Sequence, residues 1–275
     1  MAPARRIPTN QPPKPLNSGL VALDGLAVAP TPDLQSYVKA ASEYVLNAKS
    51  MSASVRKKAQ IALSAGLARA VRVELVQRIP KMRPHAGERT VAGALRSVRA
   101  DVSESHELDG LRLALEIKPI NLAVGRAIWN RFGDVRTFAV NIHLKFPFAV
   151  VGGLLAVPTW EWKPSSVRAG PEIDDPADDV DETDVAEELA AAEQQGVLVR
   201  VSTRHLIERA EERFVRARLR DIEADPAHLL EATGLIVYDP DTGALDPLLP
   251  KPGSGLRWDE FIARLTDVYS LRFED

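Results

Sequence analysis

Apolar residues recur every three to four positions over two segments in the first third of the chain, which predicts two amphipathic helices. The first begins near Asp33 and has its apolar face at Leu34, Tyr37, Val38, Ala41 and Val45. The second runs from about Val55 to Ile79, where Pro80 ends it. A third, short helix is expected from Glu88 to about Ser97.

The period changes to two between residues 98 and 118, which predicts an antiparallel hairpin. Odd positions from 111 to 117 hold leucine or isoleucine, and positions 98, 100 and 102 alternate with polar residues. The dipeptide Asp109-Gly110 between the two runs is typical of a turn. Each strand therefore has one apolar face and one polar face.

Asp101 and Glu116 oppose each other in the register that keeps both apolar sets on one face of the hairpin. This register also pairs, on the core side, Val102 with Leu115 and Ala100 with Ile117. Lys118 lies one step along the polar face from Glu116. Opposed residues have Cβ atoms about 4.5–5.5 Å apart, and like charges in such a pair destabilise a sheet. Lys118 or a hard cation such as Mg²⁺, which binds carboxylate oxygens, would neutralise the pair.

The remaining pattern predicts an α/β fold with a right-handed crossover after the hairpin. Helical spacing resumes at Leu122, passes through Arg131-Phe-Gly-Asp134 into a second helical segment and ends near Lys145. A continuously apolar run at 148–157 predicts a buried central strand. Further helices are expected at about 203–220, 226–233 and 257–271, with a short strand at Leu235–Tyr238.

Asp101, fourteen intervening residues and Glu116-Ile117-Lys118, followed by a helix and a buried strand, resemble the PD-(D/E)XK nuclease superfamily, especially type II restriction endonucleases. The resemblance covers residues 85–160, and it departs from the family's pattern at Ala100, where that pattern has proline. It implies a central mixed sheet with a catalytic hairpin, flanked by helices, with additional helices at both ends.

The resemblance also implies roles for individual residues. Asp101 and Glu116 would bind Mg²⁺, with Mn²⁺ as a substitute, and Glu88 would add a third acid from before the hairpin. Lys118 would position the attacking water, act as its base or stabilise charge on the phosphorus centre. DNA phosphates would meet the polar residues that follow the hairpin, namely Arg126, Asn130, Arg131 and Arg136. Each of these four residues could equally belong to a solvated basic face, and Glu88 could equally be a helix N-terminal glutamate that the helix dipole favours.

Other acids of the hairpin and a second acid-x-lysine triplet compete with the chosen acids. Asp109 is closer in sequence to Glu116 than Asp101 is, but it has the opposite parity and lies in the turn; Glu104 and Glu107 are also too near that turn. Glu161-Trp162-Lys163 repeats the acid-x-lysine spacing, and Asp134 is the acid that precedes it within 30 residues. The first site, with Asp101, is preferred.

Charge is distributed unevenly along the chain. Residues 51–170 carry a net charge of +10, whereas residues 171–195 contain 11 acidic residues and no basic one. The positive stretch favours a polyanion-binding surface, and the negative block is expected to be a solvated segment. The absence of cysteine excludes disulfides, thiolate nucleophiles and cysteine-bound zinc.

We expect a proline-rich, extended or disordered arm over residues 1–33 and a single nuclease domain over 34–275, with an acidic insertion at about 164–195. No apolar run is long enough for a membrane span, no secretory signal is recognisable and no nucleotide-binding glycine loop occurs, so a cytoplasmic protein without nucleotide cofactor is expected.

The expected function is that of a Mg²⁺-dependent endonuclease that cuts double-stranded DNA at a short site as a homodimer, in the manner of type II restriction enzymes. A repair or junction-resolving nuclease of the same fold is an alternative. A noncatalytic DNA-binding protein that keeps the hairpin is another.

Overall fold

The computed structural model describes residues 33–165, 189 and 191–274. The predicted N-terminal arm and most of the acidic insertion lie outside the described residues. The helices are α1 (Leu34–Asn47), α2 (Ala53–Arg78), α3 (Val124–His143), α4 (Arg204–Arg216) and α5 (Trp258–Phe273), with a 3₁₀ turn at Ala48–Ser50. The strands are β1 (His85–Ala92), β2 (Ser97–His106), β3 (Gly110–Pro119), β4 (Val150–Pro158), β5 (Trp160–Pro164), β6 (Leu198–Ser202), β7 (Ala232–Asp239) and β8 (Ala244–Leu245).

A six-stranded mixed sheet in the order β1-β2-β3-β4-β7-β8 is the centre of the protein. The first three strands form an antiparallel meander, β3, β4 and β7 run parallel to one another, and β8 is antiparallel to β7. Because parallel neighbouring strands need a crossover connection, β3 and β4 are joined through α3. A separate two-stranded sheet is formed by β5 and β6.

Helices cover both faces of the central sheet. Helices α1, α2 and α5 pack on one face, against residues such as Val102, Leu115 and Ile117. Helices α3 and α4 pack on the other face. Both faces of β4 are thus covered, and every residue of this strand is buried, which explains its continuous apolar sequence.

A glycine in β4 allows α3 to lie close to the sheet. Gly153 pairs with Glu116 in the adjacent strand. A Cβ atom at Gly153 would lie 2.2 Å from the Cγ1 atom of Val135 on α3. Because any larger side chain would push the helix away, this glycine sets the distance between α3 and the strand that carries Glu116.

Most of the predicted elements are present. Asp33 caps α1 by accepting a hydrogen bond from the Ser36 N–H at 2.7 Å. Helix α2 ends at Arg78, shortly before Pro80, and the hairpin, the buried strand and the C-terminal helix occur where the pattern predicts them. Strand β7 includes the predicted 235–238 segment but begins earlier, at Ala232.

Three predictions of local structure were wrong. The segment predicted as a helix from Glu88 to Ser97 contains the edge strand β1 and a turn, because pairing with β2 outweighs the local helical preference. The two helical segments predicted after Pro119 are one continuous helix, α3, which runs through Gly133. Residues 226–231 form no helix, since this segment leads directly into β7.

Candidate active site

The β2–β3 hairpin has the predicted register over its central part. Val102 pairs with Leu115 and Glu104 with Leu113, and the register shifts by one residue only near the turn. The ladder ends at the Val102–Leu115 pair. The expected pairing of Ala100 with Ile117 is therefore wrong: Ala100 packs with the apolar cluster on the α3 side of the sheet, whereas Val102 packs on the opposite side.

Asp101 occupies the point at which β2 leaves the ladder. Its Oδ2 atom accepts a hydrogen bond from the Ile117 backbone N–H at 2.7 Å, which replaces a bond between the strands. The carboxylate is thus held against β3, close to Glu116 and Lys118, rather than opposite Glu116 in a regular pair. The prediction that Asp101 and Glu116 are close is supported, although the contact has a different geometry.

Strand β1 contains an extra residue beside this point. Ala86 pairs with Val102 and Arg89 with Ala100, so three steps along β1 match two along β2. Gly87 lies within this bulge with φ of 130°, a conformation that favours glycine. The bulge carries Glu88 to the cleft that Asp101 also lines.

Glu116 and Lys118 form an ion pair in a largely buried setting. The Lys118 Nζ atom lies 2.5 Å from Glu116 Oε1, and Glu116 is only 8% exposed. Burial raises the pKa of Glu116 to about 7, although Lys118 opposes this rise; the charges of Asp101 and Asp134 add to it. Burial also raises the pKa of Asp101, against the Ile117 hydrogen bond and the Lys118 charge.

Two clefts meet at these residues. A charged cleft of about 430 Å³ is lined by Asp101, Glu116 and Lys118 together with Glu88, Arg96, Arg99 and Asp134. A more neutral cleft of about 480 Å³ extends between α2 and the end of β3 and shares Glu88, Asp101 and Lys118 with the first. A substrate could therefore extend to both sides of the carboxylates.

The oxygen donors present here suit a hard divalent cation. Within the described part of the chain, the second oxygen of Asp101 accepts no hydrogen bond, and Glu116 has Lys118 as its partner. Two partly desolvated carboxylates beside a single ammonium leave negative charge that a cation would offset. The described residues contain no group of three or more His, Cys, Asp or Glu side chains arranged to hold a metal. Water and substrate oxygens would have to complete the coordination.

Glu88 lies near the other acids but is already engaged. Both of its oxygens accept hydrogen bonds from Arg99 Nη1, each at 3.1 Å, in an exposed pair. Its charge contributes to the raised pKa of Asp101. It lies in the edge strand rather than at the start of a helix, as stated above.

The four residues predicted to contact DNA lie on α3 but not on one side of it. Arg131 lines the neutral cleft together with Lys118, and it also pairs with Asp134 at 3.1 Å. Arg136 lines a different cleft, with Arg218 and His228. Arg126 is exposed and Asn130 is partly buried. Arg131 is therefore the member of this set that the structure brings to the carboxylates.

The competing acids have other roles. Asp109 is a turn residue that accepts a hydrogen bond from Arg112 Nε at 2.6 Å. Glu161 is 1% exposed and accepts the Val124 N–H at 2.5 Å at the start of α3, while Lys163 lies 3.1 Å from its other oxygen. The second acid-x-lysine triplet therefore supports the N-terminus of α3 on the small sheet.

Asp134 and Asn121 were not predicted as residues of this site. Asp134, which in the sequence is the acid that precedes the second triplet, lines the charged cleft. Asn121 lines the neutral cleft just after β3. A position directly after the carboxyl end of a parallel strand is the one sequence feature that could have indicated Asn121.

Comparisons of this chain with protein-family models, curated proteins and solved structures give no match.

Proposed function

We propose that this protein is a Mg²⁺-dependent endodeoxyribonuclease with a PD-(D/E)XK-type core. The observation that carries the proposal is the convergence of Asp101, Glu116 and Lys118 from two adjacent strands at one cleft. A helix and a buried parallel strand follow the hairpin, as the resemblance requires. We further propose that it acts as a type II restriction enzyme on duplex DNA.

The burial of the two acids supports a catalytic rather than a structural role. A sheet gains no stability from two carboxylates held close together, and burial makes their ionised forms more costly. The raised pKa values of both acids express this cost. Perturbed acids grouped in a cleft are typical of sites that bind a cation or transfer protons.

In the proposed reaction, water attacks the scissile phosphate and gives up a proton to solvent, while the bond to the leaving nucleotide oxygen breaks and that oxygen takes up a proton from solvent. Asp101 and Glu116 would hold Mg²⁺, which when bound polarises the phosphate and lowers the pKa of a bound water. Lys118 donates a hydrogen bond to the attacking water or to a phosphoryl oxygen and stabilises negative charge there. Arg131 on α3 is placed to contact a neighbouring phosphate.

The basic middle part of the chain supports DNA as the substrate. The +10 charge of residues 51–170 includes Arg96, Arg99 and Arg131 beside the carboxylates. One such site cuts one strand, so cleavage of both strands at a short site calls for two protomers. A homodimer is therefore part of the proposal.

Plasmid cleavage tests the proposal. Purified protein with Mg²⁺ or Mn²⁺ is expected to cut plasmid DNA at fixed positions, whereas Ca²⁺ should bind and support little turnover. Asp101→Asn should abolish cleavage, and Asp109→Asn should retain it. Thermal melts should show stabilisation by Mg²⁺ that grows with its concentration and is lost in Asp101→Asn.

The other outcomes separate the alternatives. Cleavage confined to branched or damaged DNA would identify a junction-resolving or repair nuclease of the same fold. Salt-dependent binding to duplex DNA without cleavage in any of these metals would identify a noncatalytic DNA-binding protein. Stabilisation by Mg²⁺ that persists in Asp101→Asn would place the cation elsewhere and contradict the proposed site.

A further inference from the structure

The neutral cleft is lined mainly by residues to which the proposed cleavage reaction assigns no role. It lies between α2, which contributes Gln60, Ile61 and Ser64, and the segment that follows Lys118 in β3. Its volume of about 480 Å³ lies within the range of small-molecule sites. Its walls consist mainly of small apolar and uncharged polar side chains, in contrast to the arginines and acids of the charged cleft.

Asn121 is a buried polar residue on this cleft. It is 3% exposed, and its Oδ1 atom accepts a hydrogen bond from the Tyr238 hydroxyl at 2.7 Å. Its amide nitrogen donates a hydrogen bond to none of the described residues. This nitrogen is also not completely shielded from solvent. Asn121 is therefore a lining residue of the cleft whose amide N–H groups have no acceptor among the described residues.

Tyr238 holds this amide in one orientation. The tyrosine is fully buried in β7, and burial raises the pKa of its hydroxyl well above the ordinary value. The hydroxyl thus keeps its proton, which it donates to the Asn121 oxygen, so the amide nitrogen lies on the side away from the tyrosine. A buried donor of fixed orientation beside the carboxylates is preorganised to recognise a substrate acceptor.

We propose that the neutral cleft binds the nucleoside next to the scissile phosphate and that Asn121 donates a hydrogen bond to its base. This inference rests on the proposed nuclease function. A nucleoside that is turned out of the duplex presents nitrogen and oxygen acceptors at its base edge and a base face that packs on apolar side chains. Ile61, which is 63% exposed at this cleft, offers such a side chain. A phosphate would favour the neighbouring arginines of the charged cleft.

A pair of small ligands tests the inference without DNA cleavage. Thymidine 3′,5′-bisphosphate contains the nucleoside and its two phosphates, and 2-deoxyribose 3,5-bisphosphate lacks only the base. Isothermal titration in Mg²⁺ gives the ratio of their affinities, which isolates the contribution of the base. The wild-type protein is expected to bind the nucleotide at least tenfold more tightly than the abasic compound.

Asn121→Asp is the decisive variant, because it keeps the acceptor for Tyr238 and replaces the N–H groups with an oxygen. The affinity ratio should fall about five- to tenfold, the effect of one hydrogen bond. The added charge weakens both ligands alike and cancels in the ratio. Tyr238→Phe, which releases the amide, should lower the ratio by a smaller factor. Asn47→Ala, a change of an exposed amide on α1 that donates to the Glu43 carbonyl, should leave it unchanged.

Three results would overturn the inference. The first is equal affinity of the wild-type protein for the two ligands, and the second is no binding of either. The third is an unchanged ratio in Asn121→Asp. Each can occur while plasmid DNA is still cut, so failure of the nucleoside site is distinguishable from failure of the nuclease proposal. Conversely, a base-dependent ratio without DNA cleavage would retain the nucleoside site and reject the nuclease.

Discussion

Glu116→Gln should make the metal-free protein more stable at alkaline pH while it abolishes cleavage. Glu116 has a pKa of about 7 in the folded protein, compared with an ordinary value of 4.5. The native state therefore retains a proton on Glu116 between these values, and unfolding releases it. By linkage, the contribution of Glu116 to stability is fully present below pH 4.5 and is lost as the pH rises through 7.

The magnitude follows from the two pKa values. A difference of one pH unit corresponds to about 1.4 kcal/mol, so the ionised carboxylate costs about 3 kcal/mol once the pH is well above 7. At pH 5 less than about 1 kcal/mol of this cost has developed. Because glutamine has the same shape and no charge, the stability of Glu116→Gln relative to wild type should increase by about 2–3 kcal/mol between pH 5 and pH 8.5.

Urea denaturation in EDTA at several pH values measures this difference directly. Titrating groups that do not interact with Glu116 are common to both proteins, so their effects cancel. Glu107→Gln, a change at an exposed acid of the hairpin turn, is the matched control and should show no such trend. Addition of Mg²⁺ should stabilise the wild-type protein and reduce the advantage of the variant. A difference that stays flat from pH 5 to pH 8.5 would refute the argument that Glu116 is held in a desolvated, unfavourable setting.

Three further changes probe the site and its support. Lys118→Ala should lower the rate of plasmid cleavage by about two to three orders of magnitude, because it removes a hydrogen-bond donor to the developing negative charge. Asp109→Ala should cut at the wild-type rate. An equal loss of cleavage rate in these two variants would argue against the site. Arg131→Ala should weaken DNA binding and lower the magnitude of the slope of log K against log salt concentration by about one, which fluorescence anisotropy at several salt concentrations measures. Arg136→Ala, on another side of α3, should change neither the affinity nor the slope. Gly153→Ala should lower the free energy of unfolding by about 1–3 kcal/mol, since its methyl group would overlap α3, and an unchanged urea midpoint would show that the helix adjusts freely.

Several features were determined by local sequence. The alternation of residues 98–118 produces a hairpin in which Val102 pairs with Leu115, since a slip by one residue would move every side chain to the opposite face of the sheet. The same register predicts Asp101 near Glu116 and Lys118, but a hydrogen bond from the Ile117 N–H, beyond the end of the ladder, is what holds its carboxylate there. The fully apolar run that contains β4 likewise has a single compatible setting, a strand covered on both faces.

No described helix combines the length and apolar character needed to cross a bilayer, in agreement with the absence of long apolar runs in the sequence.

Helix α3 shows where such local reasoning is insufficient. Helical spacing predicts the helix, but which of its arginines lies beside the carboxylates depends on how the helix packs over Gly153. A pattern within one segment contains no information about that distance.

Other features depended on tertiary structure alone. The segment from Glu88 became an edge strand because β2 offered it a hydrogen-bonding partner, and the extra residue at Gly87 followed from that pairing. Asn121 acquires its orientation from Tyr238, which lies 117 residues further along the chain. Local periodicity determines which face of an element is buried, whereas the meeting of distant side chains depends on how the elements pack together.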